Sequence, residues 1–227
     1  MFKDFGGIGL TGQSSAGLAH SGQLDALVAL EQIGTRKSFA RDEEIYAEGE
    51  PAEFWYKVVS GTVRISKLFA DGRRHIAEFC FSGECFGLDE PQKHEFSAEA
   101  VTDVILMRYP RRATAQLLDE TPHLAHRLCD MALRDLAQAQ ARMLRLGRMT
   151  ASERVASFLL ELRERRDAAR MIEVPMSRSD IADYLGLTIE TVCRVLSAFK
   201  RSGAIAMADP HTIELRECSA LEAVSEA

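Results

Sequence analysis

Between Lys37 and about Tyr109 apolar and polar residues alternate in short runs, and from Pro122 onward apolar residues recur at helical spacing. The first pattern predicts strands over Glu44-Ile45-Tyr46, Phe54 to Val59, Thr62 to Leu68, His75 to Phe81, Phe96 to Ala100 and Val104 to Arg108. Gly49-Glu50-Pro51, Ser60-Gly61, Asp71-Gly72 and Ser82-Gly83 mark the turns between most of them. Many short strands with spaced glycines predict a small antiparallel barrel or roll, because glycine turns corners that would strain other residues.

The second pattern opens with Pro122 to Leu146, a stretch without glycine, predicted as one helix of about 37 Å. Leu124, Leu128, Met131, Ala132, Ala139 and Met143 suit a seam between two such helices, where small alanines let the backbones approach. The expectation is a homodimer; the alternative is a helix packed only on its own roll, since Asp135 interrupts the heptad. Gly147 is expected to end the helix. Thr150 and Glu153 form a capping box for the next one, whose apolar face is Val155, Phe158, Leu159 and Leu162. Arg163 to Arg170 reads as a solvated charged connector leading to a strand over Met171 to Val174.

Residues 177 to 200, SRSDIADYLGLTIETVCRVLSAFK, have helix-turn-helix spacing. Ser177 and Asp180 form a second capping box, Ile181, Ala182 and Leu185 give the short helix one apolar face, and Gly186 stands where a left-handed backbone is needed. Leu187 fills the corner and Thr188 caps the following helix. Val192, Val195, Leu196 and Phe199 then face inward, leaving Glu190, Thr191, Cys193, Arg194 and Ser197 outward on a face that could enter a DNA major groove. Gly203 ends this helix, and Ala204 to Met207 with Thr212 to Leu215 predict a wing around Asp209-Pro210-His211. An ordinary helical hairpin is the alternative; it would not require this turn chemistry.

The predicted class is therefore α+β: an N-terminal antiparallel β-roll, a long dimerisation helix and a C-terminal winged helix-turn-helix. The expected division is a flexible tail over 1–22, the roll over 23–121, the helix over 122–147, and the reading domain with a flexible C-terminal tail over 148–227. The start, MFKDFGGIGLTGQSSAGLAHSG, has neither a basic lead nor a hydrophobic signal core, and no apolar run is long enough to span a membrane. Five cysteines without a tight framework suggest reduced thiols and a cytoplasmic protein.

A net charge of −6 looks wrong for a DNA binder, but charge acts locally. From Arg148 to Arg201 there are ten Arg and Lys against eight Asp and Glu, a balance of +2 that leaves −8 for the rest of the chain. Such a weakly basic head needs specific base contacts and two copies to hold a site. No nucleophile–base pair, metal-spaced cluster or phosphate-cradling glycine loop supports an enzyme. His123 and His126 have helical pair spacing without an evident third ligand, and neither a metal nor another cofactor is expected.

Tyr56-Lys57-Val58, Ser60-Gly61, the hairpin Asp71-Gly72-Arg73-Arg74, Gly83-Glu84 and Phe86-Gly87, followed by Glu190-Thr191-Val192-Cys193-Arg194, resemble the CRP/FNR superfamily of bacterial transcription regulators, and within it the FixK branch. The resemblance runs from about Asp25 to Leu215. It implies double-stranded DNA and RNA polymerase as partners, with Glu190, Cys193 and Arg194 on the bases. Arginine can present two parallel donors to guanine and glutamate can accept from cytosine. Ser177, Ser179, Thr188, Thr191 and Lys200 are expected to hold phosphates. Ile189 stands where cyclic-AMP responders have arginine, which favours a TTGAT-N4-ATCAA-like palindrome and an activator of microoxic or anaerobic genes. The hairpin from Asp71 to Arg74 is a candidate polymerase contact.

Cyclic-AMP responders resemble this chain at Gly83-Glu84 but carry a phosphate-binding arginine about ten residues later. Here that stretch is His94, Glu95, Phe96, Ser97 and Ala98, so no cyclic-nucleotide response is expected and Glu84 reads as an exposed turn residue. The tail has no cysteine, and Cys80, Cys85, Cys129, Cys193 and Cys218 are too dispersed for a shared iron–sulfur cluster. Cys193 replaces a serine that touches a base in FNR-like proteins. It reads as a passive small side chain in the groove or, alternatively, as a redox switch whose oxidation would set negative charge against DNA. A ligand-binding regulatory module acting through a protein partner is the alternative function.

Overall fold

The computed structural model describes residues 30–88, 92–166 and 168–225, so the tail assigned to 1–22 lies outside the described residues. These residues form two compact units, the first drawn from Met1–Val63 and Cys80–Gln138, the second from Arg64–Phe79 and Ala139–Ala227.

The first unit is built on antiparallel strands. β1 (Thr35–Phe39), β8 (Val104–Pro110), β3 (Phe54–Ser60) and β6 (Cys85–Phe86) form a sheet in the order β1-β8-β3-β6, and β2 (Glu44–Tyr46) pairs with β7 (Ser97–Ala100). Val58 lies opposite Leu106, both fully buried, at the centre of the β3–β8 ladder. Next to that pair Gly61 turns the chain at φ 91°, and a Cβ there would run into the carbonyl oxygen of Asp103. Trp55 stacks on Tyr109 with ring centroids 4.2 Å apart, and burial pushes the Tyr109 phenol up to about 12. The Trp55 indole N–H donates to Thr114 Oγ1 at 2.9 Å, pinning α1 (Arg111–Glu120) to β3.

Two of these elements escape the alternation rule. β1 is an edge strand held by its ladder with β8 and exposed along most of its length, so its residues carry no apolar period. α1 follows Pro110 without a side-chain cap and buries only Thr114.

α2 runs over Pro122–Arg148, 27 residues and about 40 Å, so Gly147 does not end it. A single glycine in a last turn costs about 1 kcal/mol against alanine. The restart is set instead by Thr150, whose hydroxyl accepts from Glu153 N while the Glu153 carboxylate accepts from Thr150 N at 3.0 Å. Among the seam residues, Leu124 is already buried in its own chain, Leu128 is half-buried, and Ala132, Ala139 and Met143 are exposed. The side chain of Met131 lies outside the described ones. Leu133 and Leu136 are also exposed on α2.

The second unit opens with the hairpin of β4 (Val63–Leu68) and β5 (Arg74–Cys80), neighbours in one sheet. Its core forms where α3 (Ala151–Arg165) packs with α6 (Cys218–Ser225) and α5 (Ile189–Arg201), and α4 (Arg178–Leu185) packs on α5 and sets the Tyr184 ring against Phe158 of α3. A three-stranded sheet in the order β10-β11-β9 joins β10 (Ile205–Asp209), β11 (Thr212–Leu215) and β9 (Met171–Glu173). Val155, Phe158, Leu159 and Leu162 of α3 are buried together with Ile172, Ile213, Leu215 and Leu221. The C-terminal segment expected as a flexible tail is thus α6, fastened by the fully buried Leu221. The connector from Arg163 also differs from expectation. Arg165 is half-buried, donating to Phe79 O at 2.7 Å and pairing with Glu161 at 3.3 Å.

Candidate nucleic-acid interface

Two local rules build the corner. Ser177 Oγ accepts from Asp180 N at 3.0 Å, and Asp180 Oδ2 accepts from Ser177 N at 3.0 Å, which fixes the start of α4. At its other end Gly186 adopts φ 62°, ψ 41°, and Leu187 N donates back to Ala182 O at 3.0 Å. Thr188 then caps α5 by accepting from Thr191 N at 3.3 Å. Ala182 and Val192 are both buried where the helices meet.

Val192, Val195, Leu196 and Phe199 are buried along α5, while Glu190, Cys193, Arg194 and Ser197 are exposed. Glu190 and Arg194 stand four residues apart and therefore share one face of the helix. The helix N-terminus holds the Glu190 carboxyl below its ordinary range, first through the residue's own backbone N–H and then through the Thr188 hydroxyl. The face thus offers an ionised acceptor and a guanidinium, with Ile189 at its leading edge 46% exposed.

The residues expected at phosphates divide into two kinds. The hydroxyls of Ser177, Thr188 and Thr191 already take part in the caps, Ser177 Oγ with Asp180 Oδ2 at 2.7 Å and Thr188 Oγ1 with Thr191 Oγ1 at 3.1 Å. Ser179 is half-buried beside the α4 N-terminus, and Lys200 is exposed in the last turn of α5.

Three arginines not singled out in the sequence, Arg178, Arg154 and Arg64, shape this region together with Arg74. Arg178 donates from Nη2 to Pro210 O at 2.8 Å, tying the wing turn to α4, and burial pulls its guanidinium below the ordinary arginine value. Arg154 donates to Leu185 O and Met149 O, both at 3.0 Å. Arg64 and Arg74 reach Asp180 from the β4–β5 hairpin. The signal for Arg178 was its place directly after an N-cap; for Arg154 and Arg64 the sequence carries none. Arg74, expected at a polymerase-facing surface, is engaged with Asp180 and Asp183, while Asp71 and Arg73 pair with each other in the open at 2.7 Å.

In the first unit, Tyr46, Tyr56, Phe86 and His94 stack together; the Tyr46 and His94 ring centroids are 3.6 Å apart. Glu84 is half-buried rather than exposed, because its carboxylate folds back to accept from Phe81 N at 2.8 Å. Ala98 is fully buried in the stretch where an arginine would be needed. Among the described residues no three His, Cys, Asp or Glu side chains gather as metal ligands, and no helix is long and apolar enough to cross a membrane.

Residues 153–224 match the Crp-like helix-turn-helix domain, and residues 36–121 match the cyclic nucleotide-binding domain. The nitrogen fixation regulation protein FixK of Azorhizobium caulinodans is 45% identical over 194 residues, covering 83% of this chain and 78% of the relative. The chain belongs to the CRP/FNR family, in its FixK branch. The FixK of Bradyrhizobium diazoefficiens is 40% identical over 190 residues, covering 81% of this chain and 80% of that protein. The solved FixK2 structure from Bradyrhizobium japonicum superposes with a TM-score of 0.83 at 42% identity, over 86% of this chain and 98% of that one. This FixK-branch chain is thus a transcription regulator with a DNA-binding helix-turn-helix, and its relatives are regulators rather than enzymes.

Proposed function

We propose that the protein is a homodimeric transcription activator that reads a TTGAT-N4-ATCAA-like inverted repeat without cyclic AMP. The observation that carries the reading is the exposed pair Glu190 and Arg194, one turn apart on α5, with Cys193 between them. Arg194 gives parallel donors to guanine O6 and N7, Glu190 accepts from cytosine N4, and Cys193 fits as a small contact. Ser177, Ser179, Thr188, Thr191 and Lys200 set the register on the phosphates.

The exposed stripe of Leu133, Leu136 and Met143 on α2 supports pairing of two copies. Two heads on a two-fold axis then meet half-sites about 34 Å apart, hence the inverted repeat. The proposed division is a roll over 23–121, the dimerisation helix 122–147 and the reading domain 148–227, except that the hairpin Arg64–Phe79 groups with the reading domain and the helix runs on to Arg148. A cyclic nucleotide is disfavoured because no arginine stands at 94–98 to pair with a phosphate: His94 is stacked on Tyr46 and Ala98 is fully buried. The names of the FixK relatives support control of nitrogen-fixation genes; action on microoxic or anaerobic genes, in the cytoplasm and through RNA polymerase, rests on the family resemblance alone.

The test is fluorescence anisotropy with the palindrome and with a scrambled duplex, in reducing buffer without added ligand. Tight binding to the palindrome alone is expected. Equal affinity for both duplexes overturns the reading.

A further inference from the structure

Asp180 divides its two oxygens between two tasks. Oδ2 takes the Ser177 N–H and hydroxyl that start α4, and Oδ1 faces Arg74 Nη2 at 2.6 Å and Arg64 Nη1 at 3.5 Å. Its side chain is only 5% exposed, and that of Arg64 only 12%. Arg74 forks further, with Nε and Nη2 each 2.8 Å from Asp183 Oδ2. Beside it, His75 Nδ1 lies 3.1 Å from the carbonyl oxygen of Asp183, one of the last-turn carbonyls a helix leaves without an internal partner. The β4–β5 hairpin therefore holds α4 at both ends of one face, and all of these residues belong to the second compact unit.

This arrangement exceeds what capping needs. A capping box is complete with one carboxylate and one hydroxyl, as at Thr150 and Glu153, where no arginine is required. Asp183 has no role in the cap. Two carboxylates three residues apart on the helix whose N-terminus faces the DNA phosphates would repel that strand, and two guanidinium groups cancel their charge. A guanidinium fork also fixes orientation in a way a point charge does not, because its donors lie in one plane.

We infer that Arg64 and Arg74 are positioning residues for DNA recognition: they neutralise Asp180 and Asp183 and lock α4, and through the Gly186 corner they set the angle at which α5 meets the bases. The inference rests on the proposed reading of α5 as the base-contacting helix. Neither arginine touches DNA in this scheme; both act through the two aspartates.

The experiment uses the full chain and four forms: wild type, Arg74→Gln, Asp183→Asn and the double variant. Anisotropy with the palindrome and a scrambled duplex is read at several salt concentrations, together with thermal unfolding of each form. Arg74→Gln should lower palindrome affinity roughly tenfold, the scale of a 1.4 kcal/mol effect, and reduce the palindrome-to-scrambled ratio. Asp183→Asn in that background should restore most of the affinity, because Asp183 is then neutral while Asp180 keeps Arg64 as its counter-ion.

A direct phosphate contact by Arg74 predicts instead a loss that Asp183→Asn does not rescue, with the salt slope smaller by about one. Either that pattern or unchanged affinity in a destabilised Arg74→Gln overturns the inference. Should Arg74→Gln not fold, Arg74→Lys keeps the charge without the fork. It should bind between wild type and the roughly tenfold loss, and binding equal to wild type would refute the positioning role. If wild type itself fails to prefer the palindrome, the base-reading proposal falls; if wild type prefers it and Arg74→Gln does so equally, only the positioning role falls.

Discussion

Arg154 Nη1 donates to the carbonyl oxygen of Leu185 at 3.0 Å, closing the C-terminal end of α4 at the point where Gly186 turns the chain. One side chain of α3 thereby braces the corner on which both helices depend. Arg154→Ala removes a charged donor from a helix-end carbonyl and from Met149 O, a change worth about 1.5–3 kcal/mol. At about 2–4 °C per kcal/mol for a chain of this size, the midpoint of thermal unfolding should fall by several degrees. An unchanged midpoint would remove Arg154 as a brace.

Gly186 has φ 62°, while a Cβ built there would meet its nearest neighbour, Arg154 Nη1, only at 3.6 Å. The penalty for Gly186→Ala is therefore conformational rather than steric, about 1–2 kcal/mol. Asn, which tolerates the left-handed region, should cost less than Ala. Denaturant unfolding of the two variants tests the ranking, and an alanine variant as stable as wild type contradicts it.

Arg194→Ala should cost about 1–3 kcal/mol at its own base pair and relax the preference there. A set of single-base operator variants measures this, and an intact preference pattern in the mutant would show that Arg194 does not read that base.

The Glu190 carboxyl titrates below its usual value, so the ionised, accepting form is fully present above the ordinary range near pH 4 and is lost as pH falls through the lower, folded value. The base preference assigned to Glu190 should therefore stay constant from pH 8 to about pH 5. Glu190→Gln removes it at every pH. A preference that already fades between pH 7 and 6 would point to a different group.

Cys193 is an exposed thiol on the α5 face proposed to meet DNA. Stepwise oxidation by peroxide converts it to acidic sulfur species, whose charge opposes the phosphates. Peroxide should abolish binding by wild type and spare Cys193→Ser; equal sensitivity of the two would assign the effect elsewhere.

Leu221 is fully buried in α6 against α3. Leu221→Ala should destabilise the protein by about 2–5 kcal/mol, measured by denaturant unfolding. A loss below 1 kcal/mol would mean that α6 is dispensable for the core.

The features legible in the chain are those whose cause lies within four residues. The caps Thr150–Glu153 and Ser177–Asp180, the Gly186 turn, and the division of α5 into buried Val192, Val195, Leu196, Phe199 and exposed Glu190, Cys193, Arg194 all follow from local hydrogen bonding and helical period. Gly147 shows the limit of that reasoning: an isolated glycine weakens a helix, yet α2 continues to Arg148.

What sequence alone determined, then, was the character of each element and the face it presents: a sheet-rich half, a long helix, and a helical corner with a polar reading edge. Tertiary structure alone decided which distant groups meet. It made an edge strand of the polar Thr35–Phe39, seated Trp55 on Thr114, turned Cys218–Ser225 into a packed helix, and brought Arg74 to Asp183 across 109 positions of chain. The physical reason is range. Backbone dihedrals and periodic burial are settled between near neighbours, whereas a ladder, a buried indole or a guanidinium fork gains its stability only once chain closure has brought its partner within a few ångströms.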